Sequence, residues 1–193
     1  VAQSKLFVMA LRVRKQFLYE NRKNVKAAII VWDQQEKYLD RKHVIEAAWN
    51  WINMTIPVIS STFASFSRMC KNLGAETLGH LFIDEAGQAL PQAAVGAIYR
   101  SRHVMVVGDP LQIKPVLTLD SNTLYMLGEH FGVTEKYLSA SASAQILADA
   151  ASQYGFYRKQ DKAEDSWVGI PLWVHRRCRY PMFTISNMIS YDG

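Results

Sequence analysis

Three short apolar runs constrain this chain more than any other feature: "IPVISST" (56–62), "HLFID" (80–84) and "HVMVVG" (103–108). None alternates cleanly, and each is bounded by polar residues or glycine. Runs this short are strands rather than helices, and near-continuous apolar strands belong to parallel sheets covered on both faces. Helical spacing fills the gaps, roughly over 63–73 and 88–100. The order strand–helix–strand–helix–strand predicts an α/β layer. In such a sheet the chemistry lies beyond the carboxyl ends of the strands. The polar residues that follow each run are therefore the candidates.

The segment before the first run has a different period. Leu6, Ala10, Val13 and Phe17, then Val25, Ile29 and Trp32, then Val44, Ala48 and Trp51 recur at three- and four-residue steps. This predicts helices over 4–52 with apolar stripes facing a core, and it makes the aromatic residues there core residues. Residues 1–55 hold ten Lys/Arg against five Asp/Glu, and the remainder holds twelve of each, so the net charge of +5 arises in this first segment. Such a surface is either a set of solvated helix faces or an electrostatic footprint for a nucleic-acid backbone.

Hydrophobic residues at 49% and charged residues at 20% are a globular composition. No apolar run reaches the ~18–20 residues that span a bilayer, and no leader pattern is present. Cys70 and Cys178 stand far apart without metal-ligand spacing. They read as free thiols of a reducing compartment, hence a cytoplasmic chain with no membrane partner. Towards the end, "SASAQILADAASQYG" predicts a helix stopped by Gly155, "YRKQDKAEDS" a charged loop and "WVGIPLWV" a further strand. Helical spacing follows Pro181.

Asp84 and Glu85 end the second run. Two adjacent carboxylates at a strand end can divide the work of nucleotide hydrolysis. The first can hold Mg²⁺, and the second can orient and deprotonate an attacking water. Taken alone, the pair is a weak signal and more often just a strand leaving the core. The third run ends in the tight turn Gly108–Asp109–Pro110 and presents Gln112, whose amide can donate to a phosphate oxygen and accept from water. The first run ends in Ser60, Ser61 and Thr62. These hydroxyls can bond backbone phosphates or cap the next helix.

"VISSTFASF", "LFIDEAGQALPQA", "VVGDPLQIKPV" and "HRRCRYPMFTISNMISYDG" occur in the order and at about the spacing of superfamily 1 helicases. The chain resembles the branch that contains the RNA helicase of nonsense-mediated decay and its bacterial AAA-domain relatives, over nearly all of 56–193. The resemblance implies a partial RecA-like P-loop NTPase fold of class α/β. Residues 1–55 would be a helical insertion, 56–140 the later part of the first RecA-like domain, and 141–193 a connecting helix and the start of the second. ATP and Mg²⁺ are the implied cofactors, and single-stranded DNA or RNA the implied partner. Asp84 would hold the metal and Glu85 would be the catalytic base. Gln88, Asp109, Gln112 and Arg176 would lie at the nucleotide, with Gln112 sensing the γ-phosphate. Arg177 matches an arginine that reaches the γ-phosphate from the second domain. Ser61 and Thr62 would contact nucleic acid. The family's usual Gln-Tyr-Arg-Met is here His175-Arg176-Arg177-Cys178.

A GxxxxGK[ST] loop does not occur in the 193 residues. "GAETLGHL" (74–81) has the glycine separation, but His80 and Leu81 replace the lysine and the hydroxyl, and the stretch precedes a strand instead of following one. The ends of the chain look like cuts in a longer protein. The expectation is a fragment that hydrolyses ATP negligibly by itself and that dimerises through an unpaired sheet edge. The alternatives are an inactive helicase-like module that binds nucleic acid or protein, and a metal-dependent nuclease or phosphatase built on Asp84, Glu85 and Asp109. Nucleotide sensing by Gln112 and the arginines argues against the last.

Overall fold

The computed structural model describes residues 2–109, 113–117, 119–134, 137–138, 142–158, 166–170 and 180–190. The chain divides into two compact units, Val1–Gly79 with Tyr99–Arg102 and His80–Ile98 with His103–Gly193.

The first unit is helical. Helix α1 spans Ala2–Glu20, α2 Arg22–Asp33, a short 3₁₀ turn Gln35–Tyr38, α3 Lys42–Thr55 and α4 Phe63–Met69. The core lies on α3, where Ile45 and Trp49 pack with Cys70, Leu73 and Leu78, bordered by Trp32, Tyr38, Phe66 and Met69. Ala48 is buried on the same helix. Trp49 meets Trp32 with ring centroids 5.0 Å apart. Its indole nitrogen is buried and finds no acceptor among the described residues. The face of α3 that turns inward is thus Ile45–Ala48–Trp49, one step round from the Val44–Ala48–Trp51 stripe expected. Helix α3 ends where Ile56, held extended at φ −122° by the following Pro57, cannot continue it.

Two expectations fail in this unit. Helix α1 has the helical spacing but buries nothing, with Leu6 69% and Val13 70% exposed. "IPVISST" is not a paired strand, and Val58 is 81% exposed. A strand is stable only against a partner, and the paired strands of the sheet run elsewhere.

Strands β1 (Leu78–Ile83) and β2 (Ser101–Val106) form a two-stranded sheet. At the early end Leu78 N–H donates to the Arg100 carbonyl at 2.8 Å, and at the late end Val107 N–H donates to Ile83 at 2.8 Å. Partner numbers rise together, so the pair is parallel, and α5 (Pro91–Tyr99) is its crossover. The predicted α/β order is therefore present over 78–106. Burial on both faces is not: Phe82, Val104 and Met105 are exposed, because two strands with one crossover helix cannot cover both sides.

The second unit continues with α6 (Ser121–Phe131), α7 (Ala144–Ala151), a β3–β4 hairpin and α8 (Met182–Ser190). Asp120 caps α6, accepting from the Thr123 amide at 3.0 Å, and the bond from the Thr123 hydroxyl, followed by that from the amide, holds its carboxyl below the usual range. Gly132, at φ 66°, closes its other end. Helix α7 stops at Ser152, before Gly155. Gly155 instead lies against β4, where a Cβ would collide with the Val168 carbonyl oxygen. Strands β3 (Phe156–Arg158) and β4 (Ser166–Val168) pair antiparallel, Tyr157 opposite Trp167. The strand expected at 167–174 is described only over its first residues. Among the described residues, no helix is long and apolar enough to cross a membrane.

Candidate active site

The site is built at the late ends of β1 and β2. Asp84 follows β1 directly, and its Oδ1 accepts the Glu85 amide at 3.0 Å. This bond lets the chain turn sharply. Glu85 takes a left-handed conformation, φ 53° and ψ 38°, and opens the 3₁₀ turn Ala86–Gln88. A non-glycine residue held there costs about 1–2 kcal/mol, so the surroundings must impose it.

They do so through the backbone. Ala86 N–H donates to the Val107 carbonyl at 3.0 Å, which fastens the turn to the end of β2. Gly108 follows, and a Cβ on it would stand 2.6 Å from the Gly87 nitrogen and 2.7 Å from that of Ala86. The two strand ends touch backbone to backbone, and only glycine fits at 108. On the other side the Ala89 carbonyl accepts from Ala144 N–H at 2.8 Å, at the start of α7, which Ser143 caps. Ala86 and Gly87 are buried while Asp84 and Glu85 are exposed. The fold thus buries the hinge and presents the carboxylates.

Gln88 Nε2 donates to Glu85 Oε2 at 3.3 Å, so the two residues form one polar unit. Asp109 is half-buried next to Gly108 and takes part in an interaction of its own. The structure therefore gathers Asp84, Glu85, Gln88 and the Gly108–Asp109 segment that follows β2. Ser61 and Thr62 belong to the helical unit. There Thr62 caps α4 by accepting from the Ser65 amide at 3.3 Å, and the Ser61 hydroxyl donates to the Thr62 carbonyl at 3.0 Å. Gln112, Arg176 and Arg177 lie outside the described residues. Of the glycines of "GAETLGHL", Gly74 precedes the turn that leads into β1, with Thr77 Oγ1 donating to its carbonyl, and Gly79 lies within β1 itself. That is not the strand-to-helix order of a phosphate loop.

The donor set suits a hard cation that arrives with most of its ligands. Asp84 and Glu85 offer exposed carboxylate oxygens. Among the described residues no three His, Cys, Asp or Glu side chains gather into a cage. Mg²⁺ is commonly held in this way, by one or two carboxylates with waters and phosphate oxygens completing the shell. Sequence reasoning did not foresee the left-handed Glu85 or the contact between Gly108 and Gly87. The glycine of "VVGDP" was the one available signal for the latter.

A family model described as AAA domain matches residues 4–119, which includes both strands and the whole turn. Neither the comparison with curated proteins nor that with solved structures gave a match.

Proposed function

The chain belongs to the AAA domain family, a domain found in superfamily 1 helicases, and on that premise we propose that it is part of an ATP-driven helicase or translocase of single-stranded nucleic acid. The observation that carries this reading is the backbone clasp between Ala86–Gly87 and Val107–Gly108, which sets two exposed carboxylates at one strand end. Asp84 would hold Mg²⁺ and Glu85 would act as general base. Bound Mg²⁺ would offset the charge of the nucleotide's phosphates. Gln88, hydrogen-bonded to Glu85, would keep that carboxylate aimed. Gln112, Asp109 and Arg176 would address the nucleotide, and Arg177 would offset charge developing on the γ-phosphate. The closer kinship to the nonsense-mediated-decay branch, the RecA-like architecture and a cytoplasmic setting belong to the same proposal.

The 193 residues contain no GxxxxGK[ST], so turnover would need a phosphate-binding loop supplied from outside them. The test is ATP hydrolysis, with and without single-stranded DNA or RNA, by the longest polypeptide that carries this chain. Glu85→Gln is expected to lower kcat by about 100-fold or more, as loss of a general base does. An unchanged kcat would remove Glu85 from catalysis. Nucleic-acid binding with no turnover in the unsubstituted protein would favour the inactive binding module, for which the missing loop is the specific argument.

A further inference from the structure

Helix α1 buries no residue, yet its two sides differ. One side is engaged. Arg14 Nε donates to the Met54 carbonyl at 2.7 Å and its Nη2 donates to the same oxygen, while Phe17 stacks on Trp51 with centroids 5.9 Å apart. These bonds satisfy a carbonyl near the end of α3 that the helix leaves open. At 100° per residue, positions 5, 8, 12, 15 and 19 fall on a stripe facing the other way. The stripe reads Lys5, Val8, Arg12, Lys15 and Tyr19, all exposed.

None of the three cations has an ion pair or hydrogen bond among the described residues. Arg22, at the start of α2, lies over the Tyr19 ring at 5.1 Å and extends the row. Residues 2–32 carry seven Lys/Arg and one acid, Glu20, which accepts from Gln16. From Lys5 to Tyr19 the stripe is roughly 21 Å long at 1.5 Å per residue.

We propose that this stripe docks the sugar–phosphate backbone of single-stranded nucleic acid, with the Tyr19–Arg22 pair as a platform on which a base stacks. Charge complementarity selects the occupant. Unpaired cations in a row match a polyanion, and an aromatic ring at the row's end matches an unstacked base. A membrane-surface helix would gather its apolar residues on one side. Here Leu6, Phe7, Val8 and Met9 are consecutive and exposed, so they point all round the helix. The proposal names the gripping surface for the function above, but it uses no nucleotide chemistry. It therefore stands or falls separately from Asp84 and Glu85.

The test is fluorescence anisotropy of labelled oligo-dT and oligo-U strands with the 193-residue chain, without nucleotide, across a salt series. The combined Lys5→Gln, Arg12→Gln and Lys15→Gln variant is expected to bind about tenfold or more weakly near ~0.1 M salt. Its log–log salt slope should be shallower by about 2, at roughly 0.7 per phosphate contact on a single strand. Lys5→Arg, Arg12→Lys and Lys15→Arg together should bind as the original chain does. Because the positions are exposed, circular dichroism should show the helices intact. Lys37→Gln, Lys42→Gln and Lys71→Gln remove the same charge elsewhere in the unit. If that variant loses as much affinity, net charge alone is responsible and the stripe is overturned. Tighter binding to phosphatidylserine vesicles than to the oligonucleotides at equal salt overturns it in favour of a membrane surface. A concentration-dependent mass in light scattering that the glutamine variant abolishes overturns it in favour of a second copy of the chain.

Discussion

The surroundings of Trp49 and the turn at Asp84–Glu85 are held in place by opposite means. Around Trp49 the side chains do the holding: Ile45, Cys70, Leu73 and Leu78 are buried against one another. Around Asp84 the main chain does it, through the Ala86–Val107 hydrogen bond and the close approach of Gly108 to Gly87, while the side chains face solvent. The first arrangement stabilises by removing apolar surface from water. The second leaves two carboxylates exposed at the cost of a left-handed glutamate. Stability and the proposed chemistry thus fall on different residues, and substitutions in the two regions should separate them.

The largest effect is expected at Ile45, which is fully buried. Ile45→Ala should lower unfolding free energy by about 2–5 kcal/mol in urea titration, through lost transfer energy and the cavity left behind. A loss below about 1 kcal/mol would mean that the helical core does not hold this region together.

Gly108→Ala should follow at about 3 kcal/mol, the upper range for forcing a methyl group into filled space. Its Cβ meets backbone atoms, which cannot swing aside as a flexible side chain would. Hydrogen exchange should show faster loss of the Ala86 amide proton. An unchanged rate there would break the claim that the clasp holds the turn.

Cys70 sharpens the comparison through pH. Burial pushes its thiol up to about 11, against a smaller opposing effect of the Arg100 charge. The folded state therefore keeps a proton that the unfolded chain releases from about pH 9 upward. The associated stability is whole below pH 9 and is lost as pH rises through 11. Its size is on the order of 2 kcal/mol. Comparing unfolding of Cys70→Ala with the original chain between pH 8 and 11 isolates it. Identical slopes would refute the burial account.

The smallest effect has the opposite sign. Glu85→Gly relieves the left-handed backbone and should raise stability by about 1 kcal/mol. The same substitution should abolish the turnover proposed for this site. A loss of stability would show that the Gln88–Glu85 hydrogen bond outweighs the backbone cost.

Some of this was legible in the linear chain. The second and third apolar runs are the paired strands, and the helical spacing between them is α5, because length and flanking residues separate strand from helix. Asp84, Glu85 and Gln88 stand together because they are neighbours in sequence. Gly108 reaches them because its strand pairs with theirs, which the parallel α/β order already implied. Other features escaped. "IPVISST" has the composition of a strand but no partner. The Leu6–Phe17 stripe has the spacing of a buried face but stays exposed, even where Phe17 stacks on Trp51. Apolar periodicity records which face could be buried, not whether a neighbour arrives.

By itself, then, the amino-acid order determined the local choices: where helices alternate with strands, where Pro57 ends α3, and which carboxylates follow β1. These depend on near neighbours. The tertiary structure decided which apolar faces became core, turned α3 one step from the expected stripe, and left α1 free to present Lys5, Arg12 and Lys15. It also set Glu85 in the left-handed region. Each of these depends on contacts between residues distant in sequence, whose balance of burial against backbone cost no local pattern contains.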